Sequence, residues 1–157
     1  MITSKIADSI DQSVLCWLAT ISEDGFPNVS PKEAFLHDGE GKLLVANIAS
    51  PVTVRNLERD PRVCLSFVNV FVQKGYKITG KAAVLKPGDA GFDEQHRPLT
   101  AAIGAAFPVI SVIVIEPVAV AVIIAPSYRL YPDTEPLDRI RDSLQTYRVK
   151  EYQRRAE

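Results

Sequence analysis

Val109 to Pro126 reads VISVIVIEPVAVAVIIAP, and no other stretch limits the possible folds so strongly. A membrane helix needs about 20 such residues. Here Glu116-Pro117 interrupts the run, and Val and Ile dominate what remains. Branched side chains favour strands, and proline punctuates them. The run therefore predicts two buried strands, 109–115 and 118–125, and argues against a membrane span.

The rest of the chain supplies partners for those strands. Thr3 or Ser4 can cap a short helix to Gln12, with Ile6 and Ile10 one turn apart. Strands are expected over 14–21, 28–36, 43–48, 62–70 and 76–86. Asp24-Gly25 marks a hairpin turn, and the Gly-rich segment 37–42 marks another. Helices are expected over 50–59, within 87–106 and over 135–147. Short strands at hairpin spacing, about seven in all, predict a mainly β fold with peripheral α, an antiparallel barrel with helices at its rim. The length of 157 residues fits a single domain over 1–157.

Composition narrows the function. Eighteen basic residues against 19 acidic ones leave a formal charge of −1, which disfavours nucleic acid as the main partner. Cys16 and Cys64 form no CxxC motif, so neither a disulfide framework nor a structural zinc site is expected. The opening MITSKIADSIDQ lacks an apolar core, so no secretory signal is expected and a cytoplasmic location follows. Asp93, Glu94 and His96 lie close in sequence, but their spacing does not favour a metal site.

The segment ASPVTVRNLERDP, 49–61, carries the most chemistry. Ser50 suits an N-cap and Pro51 the first helical position. Thr53 stands where a capping box would place Glu or Gln, so no carboxylate competes for the first-turn amides. Those amides and the positive end of the helix dipole suit an anion. Ser50, Thr53 and Arg55 are expected to converge on one phosphate. Lys32 joins them by strand alternation, since Asn28, Ser30, Lys32 and Ala34 share a face. Pro31 marks an edge or a bulge. Cys16 and Cys64 read as inert strand thiols, Trp17 and Phe35 as core or interface aromatics, and His37 and His96 as surface residues.

The runs WLATISEDGFPNVSPKEAF, LLVANIASPVTVRNLERDPRVCLSFVN and KGYKITGKA, in this order, resemble the pyridoxamine 5′-phosphate oxidase-like FMN-binding split-barrel family, in particular its short bacterial members. The resemblance spans 14–86 and implies an antiparallel split β-barrel of six to seven strands, and a homodimer with FMN at the interface. It also implies cofactor contacts from Ser30, Pro31 and Lys32, from Ala46 and Asn47, and from the helix start at Ser50, Thr53, Val54, Arg55 and Asn56.

Three departures separate the chain from the true oxidase. The oxidase's adjacent basic pair falls on Val52 and Thr53. A flavin-contacting Gln falls on Gly75, where Lys74 can substitute. The oxidase's C-terminal Trp and Arg/His segment has no counterpart in 126–157. Oxidation of pyridoxamine phosphate is therefore not expected.

The first expectation is an FMN-dependent oxidoreductase acting on a small molecule, with a nicotinamide as possible electron donor. The absence of GxGxxG means that such a donor would bind transiently over the flavin. The second is a flavin carrier, sensor or buffer without turnover. The third is a split barrel that has exchanged its ligand for heme or a deazaflavin, and a histidine reaching the cleft would favour heme. The tail from Arg139 to Arg155 interleaves basic with acidic residues and reads as a solvated or interface helix.

Overall fold

The structure, a computed structural model, describes residues 2–104 and 106–156. Its elements are α1 (Ser4–Asp11), β1 (Cys16–Ile21), β2 (Pro27–Lys32), β3 (Phe35–His37), β4 (Leu43–Asn47), α2 (Pro51–Arg59), β5 (Arg62–Asn69), β6 (Lys74–Leu85), α3 (Phe92–Ile103), β7 (Ser111–Ile124), α4 (Ser127–Leu130), α5 (Pro136–Thr146) and α6 (Val149–Ala156). The strands form one antiparallel sheet in the order β2-β1-β5-β6-β7-β4-β3. The two outermost strands, β2 and β3, are joined only by Glu33 and Ala34. Three Cα steps reach no further than roughly 11 Å, so the two edges of the sheet must approach each other. The sheet therefore curls into the expected split barrel. The Ala46 amide donates to Ala34 O, which carries the β4 ladder into the joint.

The structure has the seven strands expected, but two of them are divided differently. The expected strand 28–36 is broken by a bend at Glu33-Ala34 into β2 and β3. The two strands expected on either side of Glu116-Pro117 are one continuous strand, β7. Gly80 pairs with Pro117 and Thr79 with Ala119, so Val118 is an extra residue that bulges β7 beside the proline. That irregularity accommodates the missing proline N–H, so the strand continues past it. On β2, Pro27 and Pro31 pair with Ile21 and Trp17 of β1.

The barrel interior is filled by Cys16, Leu18, Val45, Leu65, Phe67, Ile78, Ile113 and Ile115, and closed at one end by Ile6 and Ile10 of α1. Phe35 packs onto this core, with its ring centroid 6.1 Å from that of Phe67. A second apolar layer lies outside β4 and β7, where Leu44, Ala46, Val112 and Val114 meet Phe92 and Leu99 of α3. Both faces of β4 are thus covered, which makes it buried throughout. Trp17 is not a core residue. It points outward from β1 and is 47% exposed.

Burial pushes the Cys16 thiol up from 9.0 to about 12, against the pull of the nearby Lys32 ammonium. Unfolded chains lose this proton near pH 9, whereas the folded protein keeps it until about 12. The unfolded state is therefore favoured progressively as pH rises through that interval, and stability falls. The expected result is that Cys16 resists a thiol reagent until denaturant unfolds the chain. In urea titrations, Cys16→Ala should flatten the loss of stability above about pH 9. Reaction of Cys16 in the native state at neutral pH would refute this reading.

Candidate functional site

The site grows from the end of β4. Asn47 closes this strand, buried, and its Nδ2 donates to Ser111 Oγ at the start of β7 at 2.8 Å. Its Oδ1 accepts the Ser50 amide at 3.0 Å. Both ends of the carboxamide are thus engaged within the protein, and they fix the bend Ile48-Ala49 that launches α2. Asn47 thereby positions Ser50. Asn47→Ala is expected to cost about 2 kcal/mol of stability, because it strands the Ser50 amide and the Ser111 hydroxyl. Urea denaturation checks this, and a change below about 0.5 kcal/mol would show that the bend holds itself.

Ser50 stands at the N-cap of α2 but makes no side-chain cap. Its Oγ instead accepts from Lys32 Nζ at 2.6 Å. The first-turn amides of a helix have no intrahelical acceptor. Pro51 carries no N–H, which leaves those of Val52 and Thr53 as donors. No acidic residue occupies this turn. The positive end of the helix therefore faces no carboxylate from its own first turn.

Lys32 is the unusual residue here. It is 7% exposed, and among the described residues no carboxylate forms an ion pair with it. Lysines are almost never buried without a partner. Burial pulls its ammonium pKa below the ordinary value of 10.5. On the same face of β2, Ser30 Oγ lies 3.1 Å from Thr53 Oγ1. Asn28 reaches Thr20, which also accepts from Asn56 at 3.0 Å. The alternating face of β2 is thus packed along α2, with Lys32 at the helix start.

Two clefts share the Ile48–Ser50 bend. The first, about 480 Å³, is lined by Pro31, Lys32, Ala46 and Ser50 of the expected set, together with Glu33, Ala34, Ile48, Ala49, Ile103 and Phe107. The second, about 730 Å³, takes Asn47, Ser50, Val54 and Arg55 of that set, with Glu58, Lys86 and Ile110 among its other walls. Lys86 is tied to Glu58 at 2.6 Å.

The expected convergence of Ser50, Thr53 and Arg55 on one point is not what the helix builds. Residues two positions apart on an α-helix, such as Thr53 and Arg55, are about 200° apart around its axis. Thr53 is buried against Ser30, while Arg55 is exposed on the opposite flank. Asn56 is buried in its bond to Thr20 and reaches neither cleft. Lys74 is also elsewhere. It opens β6, and its Nζ lies 4.0 Å from the centroid of the Tyr128 ring. The structure thus brings together Ser30, Pro31, Lys32, Ala46, Ser50 and Thr53, sets Arg55 and Val54 on the neighbouring flank, and leaves Lys74 apart.

Gly75 has no room for a side chain. A Cβ there would lie 2.0 Å from Phe67 O and 2.7 Å from Val68 Cα. The sequence reading missed Ile103 and Phe107, which complete an apolar wall of the first cleft. They lie in and after α3, far along the chain, and no local pattern marks them. Neither histidine lines either cleft. His37 lies 3.9 Å from Asp11, and His96 stacks on Phe92. Among the described residues no three His, Cys, Asp or Glu side chains form a metal-binding group, and no helix is long and apolar enough to cross a membrane.

Known proteins share this architecture. HupZ from Group A Streptococcus is 22% identical, with a TM-score of 0.65, over 76% of this chain and 92% of its own. An FMN-binding protein from Syntrophomonas wolfei subsp. wolfei is 14% identical, with a TM-score of 0.65, over 78% of this chain and 86% of its own. A pyridoxamine 5′-phosphate oxidase-related, FMN-binding protein from Nostoc punctiforme is 11% identical, with a TM-score of 0.63, over 77% of this chain and 82% of its own. At such identities these likenesses establish the fold. No curated protein matches the chain. The sequence profile described as pyridoxamine 5′-phosphate oxidase matches residues 2–130. With the split barrel and that match over most of its length, the chain belongs to the pyridoxamine 5′-phosphate oxidase family.

Proposed function

We propose that the protein binds FMN and acts as a flavin-dependent oxidoreductase on a small molecule. The observation that carries this reading is Lys32, a buried ammonium without a carboxylate, held against an N-cap serine that caps nothing. A phosphate dianion supplies the missing charge. Lys32 would meet it with a charge-assisted hydrogen bond, beside the Ser50 hydroxyl and the Val52 and Thr53 amides. The donor set fits the group, since it offers several donors and the first turn of α2 carries no acidic residue, while Glu33, which also lines the cleft, is exposed. The apolar walls Ala34, Ala46, Ile48, Ile103 and Phe107 suit a planar ring and exclude water from it. Bound FMN would supply the hydride or electron transfer, while the protein binds and orients it. Arg55, on the far flank of α2, adds long-range positive potential and is not placed for a direct bond in this reading.

The test is the absorption spectrum of the purified protein, followed by titration with FMN. Flavin bands and about one FMN released per chain are expected. A colourless protein that leaves added FMN free would overturn the reading and return weight to an exchanged ligand.

We also propose a homodimer that shares this site. Trp17 and Val29 point outward from β1 and β2 and are 47% and 54% exposed. With Pro31 they form an apolar face beside the first cleft, suited to an isologous contact. A second copy is also the route by which Lys74 would reach a flavin. Light scattering should give twice the 17.3 kDa chain mass, and a monomer would remove the shared-site part of the proposal.

A further inference from the structure

Lys32 has a second chemical capacity. It is the only one of the eight lysines that is buried, and it lines a cleft of about 480 Å³ together with Ser50, the partner of its amine. Its single hydrogen bond goes to Ser50 Oγ. Glu33, the one carboxylate lining the same cleft, is exposed and forms no ion pair with it.

We infer that Lys32 is a covalent site for phosphorylated aldehydes, which it captures as an imine in the first cleft. The inference uses the cleft of the flavin reading but does not require that flavin binds. The neutral amine attacks the carbonyl carbon, and a C–N bond forms. The carbonyl oxygen then leaves as water, and the carbinolamine becomes an imine. No oxidation state changes, so no further reactant is needed.

Three features favour this outcome. A lysine buried in an apolar environment is held less firmly in its protonated form, and only the free amine is nucleophilic. Ser50 Oγ, at 2.6 Å, accepts an N–H from that amine and so fixes where the nitrogen sits. The apolar walls Ala34, Ala46, Ile48, Ile103 and Phe107 keep water from the imine, and thus slow its hydrolysis. The phosphate requirement comes from the donors around the amine. Ser50, which lines the cleft beside the amine, stands at the helix start, whose free amides suit an anion. An aldehyde with a phosphate on a short arm is held at one end while its carbonyl meets Lys32.

The full-length protein, freed of any flavin, is incubated with pyridoxal 5′-phosphate, reduced with borohydride and mapped by peptide mass spectrometry. Most of the label is expected on the peptide containing Lys32. Pyridoxal, which lacks the phosphate, should lose most of that labelling. FMN, where it binds, should suppress it. Lys32→Arg, checked for folding by circular dichroism, should lose the site-specific label. Labelling spread over the seven other lysines, or absent from Lys32, would overturn the inference. Equal labelling by pyridoxal would overturn the phosphate requirement. FMN that binds without protecting Lys32 would overturn the shared cleft. FMN binding is read separately by quenching of flavin fluorescence. Lys32 left unlabelled in the flavin-free protein, when FMN alone binds, defeats this inference only, and Lys32 labelled by the aldehyde, when FMN alone fails to bind, defeats the flavin reading only.

Discussion

Lys32→Met is expected to weaken FMN binding by about 2 kcal/mol, roughly thirtyfold, while the apo protein becomes more stable. The two effects have one origin. In the apo state a buried ammonium has given up water for a single hydroxyl, and desolvation of an uncompensated charge opposes folding. Methionine has a similar length and no charge, so the substitution removes that cost and keeps the packing against β1 and α2. A gain of about 1 kcal/mol would raise Tm by roughly 3 °C in a domain of this size. With phosphate bound the sign reverses, because the charge then has a partner and its removal loses a charge-assisted bond. Differential scanning calorimetry with and without FMN reads both signs. If Lys32→Met lowers apo stability, the lysine has a structural partner beyond Ser50. If FMN affinity is unchanged, the phosphate lies elsewhere.

Gly75→Ala is expected to destabilise the fold by about 3 kcal/mol or more, among the larger effects available to one methyl group. An added Cβ would stand 2.0 Å from Phe67 O and 2.7 Å from Val68 Cα. Both are backbone atoms of β5, so no side chain can swing aside. Relief requires β5 and β6 to part, and β6 is the central strand between β5 and β7. Gly25→Ala is the useful comparison. Gly25 has a φ of +84° but open space around it, so only the conformational cost remains, about 1 kcal/mol. Urea denaturation of both variants separates close approach from backbone conformation. Equal losses would show that β5 and β6 yield easily. The same crowding explains why a flavin-contacting glutamine cannot occupy this position on this backbone.

Local chemistry made much of the fold legible. Pro51 and Asp60-Pro61 bracket α2 within a residue, because capping and proline exclusion act over a few positions. The barrel strands were legible by alternation and by their turn residues. Two strand boundaries were misread, for different reasons. Proline argued for a break at Glu116-Pro117, but a bulge at Val118 in the same strand, opposite Thr79-Gly80, absorbs it. The break between β2 and β3 has no such marker, because the bend at Glu33-Ala34 is imposed by closure of the sheet. The site was legible in type but not in arrangement. Ser50 and Lys32 do meet. Thr53 and Arg55 do not, although helical periodicity alone would have separated them. Phe107 and Ile103 enter the cleft from a distant segment, and only tertiary packing brings them there.

Pro27 and Pro31 have a consequence for what can grow on this molecule. Along a strand the N–H groups point alternately to either side, so positions 27, 29 and 31 share one side. Both prolines sit in ladder pairs with β1, and proline is tolerated only where its missing hydrogen would have pointed away from the neighbour. The outer margin of β2 therefore keeps the Val29 donor between two that are missing. A foreign strand laid along it would find acceptors without the matching donors, and an amyloid-like ladder could not propagate from there. Assembly through this side is left to side chains such as Trp17 and Val29. Surfaces of that kind are used up by a single two-fold contact, whereas a backbone margin invites the next molecule indefinitely.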